Sequence, residues 1–215
     1  MIEVQKKHSR TSDLAKFKRQ HILTAARRLF NANGLDGLSM RDIAKEAGYS
    51  LGAAYSYFRT KEEIQVELLA GILGELTRQI KAALTRTEGQ DDATRHAFTI
   101  FADYFREHRE ERYLLLCTLT DLKASGTDIP AEVRKELDSR LLTLMGLLAH
   151  NLYHHTPASP AHAQEETTDF VVYLLGLLIL ENSGRLQLLN QSGQEMVDRY
   201  GERMLLRMTQ QKEKE

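Results

Sequence analysis

The sequence is poor in the residues that mark secreted, disulfide-bonded and membrane-spanning proteins. Its 215 residues include one cysteine, three prolines and no tryptophan. Because one cysteine cannot form an internal disulfide or a cysteine-rich zinc site, Cys117 suits a reducing compartment. The longest apolar stretch, at 171–180, is too short to span a bilayer. The N-terminal stretch has no apolar core like that of a signal peptide, and we expect a cytoplasmic protein.

Motifs for catalysis and cofactor binding are also missing. The chain has no nucleophile motif, phosphate-binding loop or dinucleotide fingerprint. We therefore expect neither enzymatic activity nor a cofactor. His150 and His154 are one helical turn apart, a spacing that suits two metal ligands, but no acid or cysteine joins them at motif spacing. A solvated helix end is the favoured interpretation, and we expect no metal site.

Alternating runs of Val, Ile and Thr, which would predict strands, are absent, and helix-end signals are frequent. Ser39, Ser50 and Thr60 stand where a side chain would cap the start of a helix. We therefore expect an all-α fold. The predicted helices cover about 13–32, 39–47, 50–58, 60–84, 91–110, 111–124, 130–153, 165–189 and 192–211.

Charge divides the chain, although its net charge is only −1. Residues 1–61 hold 12 Lys and Arg against 5 Asp and Glu, whereas the remaining 154 residues hold 17 against 25. A basic quarter on an acidic body predicts contact with phosphate, the alternative being a solvated basic face. Residues 1–12 are expected to form a flexible basic arm. Lys6, Lys7 and Arg10 could reach a minor groove, or the arm could contact nothing.

Two short helices after a longer one are typical of a helix-turn-helix unit. The second short helix begins with small residues, which would let its N-terminus enter a major groove. Three residues would then lie near base edges: Ser50, Leu51 and Ala53.

Phosphate contacts are expected beside this helix. The hydroxyls of Tyr55 and Tyr57 can donate to phosphate oxygens, and the helix N-termini at Ser39 and Lys61 can bind phosphate. The alternative is that the two tyrosines pack in the small core, which is the role we expect for Phe58.

The sequence motifs in this region are those of a known family. They are Ile22-Leu23-x-Ala25-Ala26-x-x-Leu29-Phe30, Gly34, Ser39-Met40-Arg41-Asp42-Ile43-Ala44, Ala47-Gly48-x-Ser50, Gly52-x-x-Tyr55-x-Tyr57-Phe58 and Lys61-Glu62-Glu63. The stretch resembles the N-terminal DNA-binding domain of TetR-family transcriptional regulators. The resemblance implies a homodimer that places one helix-turn-helix unit per subunit on a pseudo-palindromic operator. It also implies phosphate contacts at Ser39, Tyr55, Tyr57 and Lys61 and base contacts at Ser50, Leu51 and Ala53.

Two residues depart from the family pattern. Tyr49 stands where a small aliphatic residue is usual, and Ala54 where a larger aliphatic usually anchors the recognition helix. Because Leu51 and Ala53 are poor hydrogen-bonding residues, we expect thymine-methyl contacts and DNA shape to supply much of the specificity.

The C-terminal body carries a helix that is apolar on almost every side, at about 170–189. Such a helix must be covered on all sides, and a second subunit is one source of cover. The dimer contacts expected here are Leu174, Leu177, Leu178, Met196, Tyr200 and Met204. The alternative is that these residues form the core of a monomer.

An apolar or aromatic effector is the expected ligand of this body. The candidate lining residues are Phe98, Phe101, Tyr104, Phe105, Tyr113, Leu116, Cys117 and Tyr173, and each could equally be ordinary core.

The sequence thus predicts an arm at 1–12, a helix-turn-helix domain at 13–61, a linking helix at 62–84, an effector-binding and dimerisation domain at 85–211 and a frayed tail at 212–215. The expected function is that of a transcriptional repressor released from DNA by a small, largely apolar effector. The alternatives are an effector-independent regulator and a helical ligand-binding protein that has lost DNA binding.

Overall fold

The computed structural model describes the backbone of residues 2–86, 90–124 and 129–210 and the side chains of 13–86, 94–120 and 129–209. The described residues form helices and no strand, which confirms the all-α prediction. The described helices are α1 (Ile2–Asn33), α2 (Met40–Glu46), α3 (Leu51–Tyr55), α4 (Lys61–Leu84), α5 (Gln90–Glu107), α6 (Arg109–Ala124), α7 (Ala131–His155), α8 (Pro160–Asn182), α9 (Arg185–Leu188) and α10 (Gly193–Gln210).

The first helix begins eleven residues before its predicted start at Asp13. Residues 2–12 contain neither proline nor glycine, so no strong helix breaker in the sequence stops the helix from extending backwards. The side chains of Lys6, Lys7 and Arg10 lie outside the described residues.

Both ends of α8 also differ from the prediction. Pro160 is the first residue of α8 rather than part of a loop, and Ser159 caps this helix by accepting from the His162 amide. A proline fits there because its missing N–H has no partner in the first turn of a helix. At the other end, Gly184 adopts a left-handed φ of 68° and separates α8 from α9, where one continuous helix was expected.

The chain forms two compact units, each assembled from two stretches. The first unit consists of Met1–Leu69 and Cys117–Leu137, and the second consists of Ala70–Leu116 and Asp138–Glu215. In the first unit, the apolar faces of α1, α2 and α3 bury a shared core. Its members include Ile22, Ala26, Phe30, Ile43, Ala44, Ala54 and Phe58.

The core of the second unit is rich in aromatic rings. Phe98 and Phe101 of α5 pack against Phe170 of α8, with ring centroids 4.9 and 6.2 Å apart. Tyr200 of α10 lies 5.5 Å from the same ring, and burial raises the pKa of Tyr200 to about 12. Helices α5, α8 and α10 therefore pack against one another around this aromatic core.

The α8 helix has a buried face and an exposed apolar face, and most of the predicted dimer contacts lie on the buried side. Leu174, Leu177, Leu178 and Met204 are at most 2% exposed within their own chain, while Met196 and Tyr200 are half-buried. A partner can remove almost no further area from the first four, so they do not offer a contact surface. The exposed face of α8 instead carries Val172 and Ile179, seven residues apart and 65% and 51% exposed.

None of the helices described here is both long and apolar enough to cross a membrane.

Candidate nucleic-acid interface

The turn between α2 and α3 is built as the sequence predicts. Gly48 takes a left-handed φ of 72°, which a side chain would disfavour, and it redirects the chain after α2. Ser50 then caps α3, its Oγ accepting from the Ala53 amide at 3.2 Å. This confirms the predicted cap and fixes where α3 starts.

The described structure leaves the first turn of α3 open to solvent. Ser50, Leu51 and Gly52 are exposed and Ala53 is half-buried, whereas Ala54 is fully buried in the core of the first unit. Ser50, Gly52 and Ala53, the sequence neighbours of Leu51, are small, so little side-chain bulk covers the backbone at this end of the helix. The predicted base-contacting residues therefore share one exposed surface.

Ser39 caps α2 but has a second partner. Its Oγ accepts from the Asp42 amide at 3.2 Å and donates to the Asp42 carboxylate. A phosphate at this helix N-terminus would have to displace that carboxylate from the hydroxyl. The capping prediction is confirmed, and the predicted phosphate contact at Ser39 must compete with Asp42.

The other predicted phosphate-contacting residues lie at the end of α3 and the start of α4. Tyr55 is 48% exposed and Tyr57 is half-buried, whereas Phe58 is fully buried, as predicted. Lys61 is the first residue of α4 and is half-buried. Thr60 and Glu63 have the spacing of a capping box, and half of this box is formed. Thr60 Oγ1 accepts from the Glu63 amide at 3.1 Å, but Glu63 accepts from the Arg59 amide instead of returning to Thr60.

Arg19 of α1 holds this junction in place. Its guanidinium donates to the Tyr57 carbonyl and to the carboxylates of Glu63 and Glu67, with the Glu63 contact at 2.8 Å. It also lies 4.0 Å from the centroid of the Phe58 ring, a cation–π distance. One side chain therefore fastens α1 to the segment that carries Tyr57 and Lys61.

This cluster was missed in the sequence, although a signal for it exists. Arg19 lies three residues before Ile22 and seven before Ala26, on the face of α1 that is buried. A charged residue on an apolar face indicates a paired, partly buried charge.

The carboxylates around Arg19 are not equivalent. Glu63 is only 3% exposed. Burial raises the pKa of Glu67 above its usual value, with nearby Glu63 and Glu136 adding to the effect, although Arg19 opposes it.

An aromatic row lies beside the turn. Phe17 stacks on His21 at 6.4 Å, and His21 meets the edge of Tyr49 at 6.0 Å. Tyr49, which departs from the family pattern, is half-buried and packs against α1 through this ring contact.

Three of the eight predicted effector residues lie within the core, and the other five are half-buried or exposed. Phe98, Phe101 and Phe105 are buried, and Tyr104 donates to the Glu111 carboxylate. The remaining members of the set are Tyr113, which is 38% exposed, Leu116 and Cys117, which are half-buried, and Tyr173, which donates to the Met196 carbonyl at 3.0 Å. Cys117 belongs to the first unit and the others belong to the second.

The second unit also contains a groove of about 470 Å³ that the sequence interpretation missed. It is lined by Leu142, Met145, Gly146, Ala149, His150, Tyr153, Pro160, Gln164 and Thr167. The α7 members follow a spacing of three and four residues, which is the signal that could have found it. The rings of His150 and His154 are 4.4 Å apart, but the described residues contain no group of three or more side chains able to hold a metal ion.

Comparison with known proteins identifies the helix-turn-helix region. The family model described as bacterial regulatory proteins, tetR family, matches residues 22–68. The transcriptional regulator BetI of Agrobacterium fabrum is 36% identical over 72 residues, which are 34% of this chain and 35% of BetI. The chain thus spans about a third of the length of curated relatives such as this one.

Solved structures match the chain over most of its length at low identity. FadR of Thermus thermophilus, a TetR-family transcriptional repressor solved with lauroyl-CoA, is 19% identical with a TM-score of 0.60, covering 87% of this chain and 93% of FadR. A protein of unknown function from Rhodococcus sp. RHA1 is 18% identical with a TM-score of 0.66, covering 90% of this chain and 95% of its own. At such identities the likeness concerns the fold.

Proposed function

Since the chain belongs to the TetR family of bacterial regulatory proteins by its N-terminal domain, we propose that it is a homodimeric repressor of transcription. It binds a pseudo-palindromic operator through α3, and a small, largely apolar effector releases it. DNA binding and transcription regulation are the family's activity; the dimer, the repressor role and the residues below are our proposal.

The surface of α3 is the observation that carries this proposal. Its first turn is exposed and carries mostly small side chains, and the Ser50 cap fixes the residue at which the helix begins. A helix N-terminus of this kind fits the width of a major groove and can bring Ser50 and Leu51 to base edges. Tyr55, Tyr57 and Lys61 would then contact phosphates on either side and set the register of the helix.

Charge supports the same assignment. The net charge of +7 over residues 1–61 favours a polyanion, and neutralising phosphates releases counterions from DNA. The acidic remainder would be repelled by DNA, which favours binding through the N-terminal unit alone.

The exposed face of α8 supports a dimer. Val172, Gly176 and Ile179 lie on one side of this helix, so a second copy could pack closely there. A two-fold axis through such a contact makes the interface self-complementary and matches an inverted-repeat operator.

Release by an effector requires that the ligand bind one arrangement of the subunits better than the DNA-bound arrangement. The T. thermophilus FadR structure, solved with lauroyl-CoA, shows that this fold can accept an acyl ligand. Helix α4, which contains residues of both compact units, is the segment that we propose transmits the change.

Selection from a random duplex library tests the proposal. The full chain is incubated with the library in low salt, bound duplexes are amplified, and the cycle is repeated with rising salt. We expect enrichment of an inverted repeat whose half-sites are centred about one helical turn apart, or a multiple of it. Enrichment of a single, unrepeated site would contradict the dimer, and no enrichment over the input would contradict sequence-specific binding.

A further inference from the structure

The groove between α7 and the first turns of α8 has a graded chemistry along its length. From Leu142 to Tyr153 it follows α7 over eleven residue steps, a length of about 16 Å at the rise of an α-helix. Leu142, Met145, Gly146 and Ala149 make one end apolar. Such a gradient suits an elongated molecule with one polar end.

The polar end of the groove contains hydrogen-bond donors. His150, Tyr153 and Gln164 line it. The ring of His154 lies 4.4 Å from that of His150, so a second imidazole is close by. Pro160, the first residue of α8, lines the same end of the groove. The helix dipole places partial positive charge at this N-terminus.

The groove lining offers hydrogen-bond donors to a carboxylate and no acidic side chain to pair with a cationic head. No aspartate, glutamate, lysine or arginine is among the nine lining residues. Thr167 donates its hydroxyl to the Ala163 carbonyl at 2.8 Å, so this proton already has an acceptor. The donors that face a ligand are therefore concentrated at the His150 end.

We propose that this groove binds an unbranched monocarboxylate, with the alkyl chain along Leu142–Ala149 and the carboxylate at His150. About 470 Å³ corresponds to about fifteen water-sized groups, which leaves room for the roughly twelve non-hydrogen atoms of a ten-carbon carboxylate. The idea that this ligand is the effector rests on the function proposed above. The idea that the groove binds a monocarboxylate rests on the groove alone.

Titration calorimetry of the full chain with three probes tests the site. The probes are decanoate, decan-1-ol and decyltrimethylammonium, which share a chain and differ in the head. We expect saturable binding of one decanoate per chain, and binding of the cation at least tenfold weaker. Equal affinity for decanoate and the cation would overturn the proposal.

Two variants separate the recognition of the head from that of the chain. His150→Leu should weaken decanoate binding about tenfold and leave decanol binding unchanged, and no change for decanoate would overturn the assignment of the head. Gly146→Leu should abolish binding of both, because an added side chain meets no neighbour there and fills the groove. Gly71→Leu is the matched control, since Gly71 also has open space in a helix but does not line the groove. It should bind as the parent does, and loss of binding in this control would contradict the groove assignment.

The remaining measurements distinguish the site from its consequence. Operator affinity is measured with and without decanoate. Bound decanoate with unchanged operator affinity supports the site and refutes its effector role, whereas no operator binding in the absence of ligand refutes the proposed function and leaves the groove result intact. If Gly146→Leu dissociates the dimer and the parent binds no decanoate, a second copy covers the groove and the site proposal is overturned.

Discussion

Replacing Arg19 by methionine should destabilise the first unit and weaken operator binding together. The substitution keeps an unbranched apolar stem against Phe58 but removes every charged contact of the guanidinium. The Glu63 side chain is 4% exposed. It loses the Arg19 guanidinium and still accepts a hydrogen bond from the Arg59 amide. A buried carboxylate that has lost its guanidinium partner is the expected source of the loss.

The magnitude follows from burial. Breaking a buried ion pair from one side costs about 3–5 kcal/mol, and the 29% exposure of the Arg19 side chain places this case at the lower end because water screens part of the interaction. Glu67, whose pKa is already raised by burial, can take up a proton and limit the cost. We therefore expect a loss of about 3 kcal/mol in the free energy of unfolding.

Urea unfolding monitored by circular dichroism measures this loss, and duplex binding is followed by fluorescence anisotropy. Arg28→Met is the matched control, because Arg28 lies on the same helix as Arg19 and forms an exposed pair with Glu46 of α2 at 3.0 Å; it should cost less than about 1 kcal/mol. The double variant Arg19→Met with Glu63→Gln should recover part of the loss. A cost for Arg19→Met no larger than that of the control would refute the reasoning.

Four further predictions follow from other parts of the chain. Lys61→Ala should weaken binding to specific and random duplexes alike and reduce the salt slope by about one, as salt titrations would show; a loss confined to discrimination would exclude a phosphate contact. Because folding raises the pKa of Glu67, ionisation of Glu67 opposes folding. Glu67→Gln should therefore have a higher free energy of unfolding than the parent, by a difference that is smallest near pH 4.5 and grows as pH rises through the folded pKa. A difference between variant and parent that shrinks as pH rises would contradict a raised pKa for Glu67. Gly193→Ala should cost less than about 1 kcal/mol in urea unfolding, because the added Cβ would meet Glu181 Oε1, the end of a flexible side chain whose pair with Arg106 is partly exposed; a larger loss would mean that this carboxylate is held rigidly. Ile179→Glu should leave the fold intact and yield monomers in sedimentation equilibrium, since the side chain is 51% exposed; an unchanged dimer would place the interface elsewhere.

Controls for these variants lie on the same helices. Lys81→Ala, in the last turn of α4, should leave the salt slope unchanged. Gly201→Ala, where an added Cβ meets no neighbour, should be neutral or slightly stabilising. Leu177→Glu is unsuitable as a dimer probe, because Leu177 is 2% exposed and a carboxylate there would disrupt the core.

The features that sequence reasoning predicted correctly are local ones. Ser39, Ser50 and Thr60 cap their helices because the acceptor and the amide are three residues apart, a distance that the sequence displays directly. The burial of Phe58 follows from the same local periodicity. Helix type and the helix-turn-helix arrangement were therefore predictable.

The features that it missed depend on distant partners. Arg19 meets residues 38 to 48 positions away, and no local pattern specifies such a contact. In α8 the sequence is apolar all round, so periodicity could not tell the buried Leu177 from the exposed Ile179. The groove required α7 and α8 to be placed side by side, which the spacing within either helix does not determine.

Stoichiometry on DNA tests the central claim most directly. Native mass spectrometry of the full chain with a duplex recovered by selection should show two chains per duplex, and a duplex cut to one half-site should bind the same dimer far more weakly. A single chain bound to the full site, or equal complexes on selected and scrambled duplexes, would contradict a dimeric operator-binding repressor.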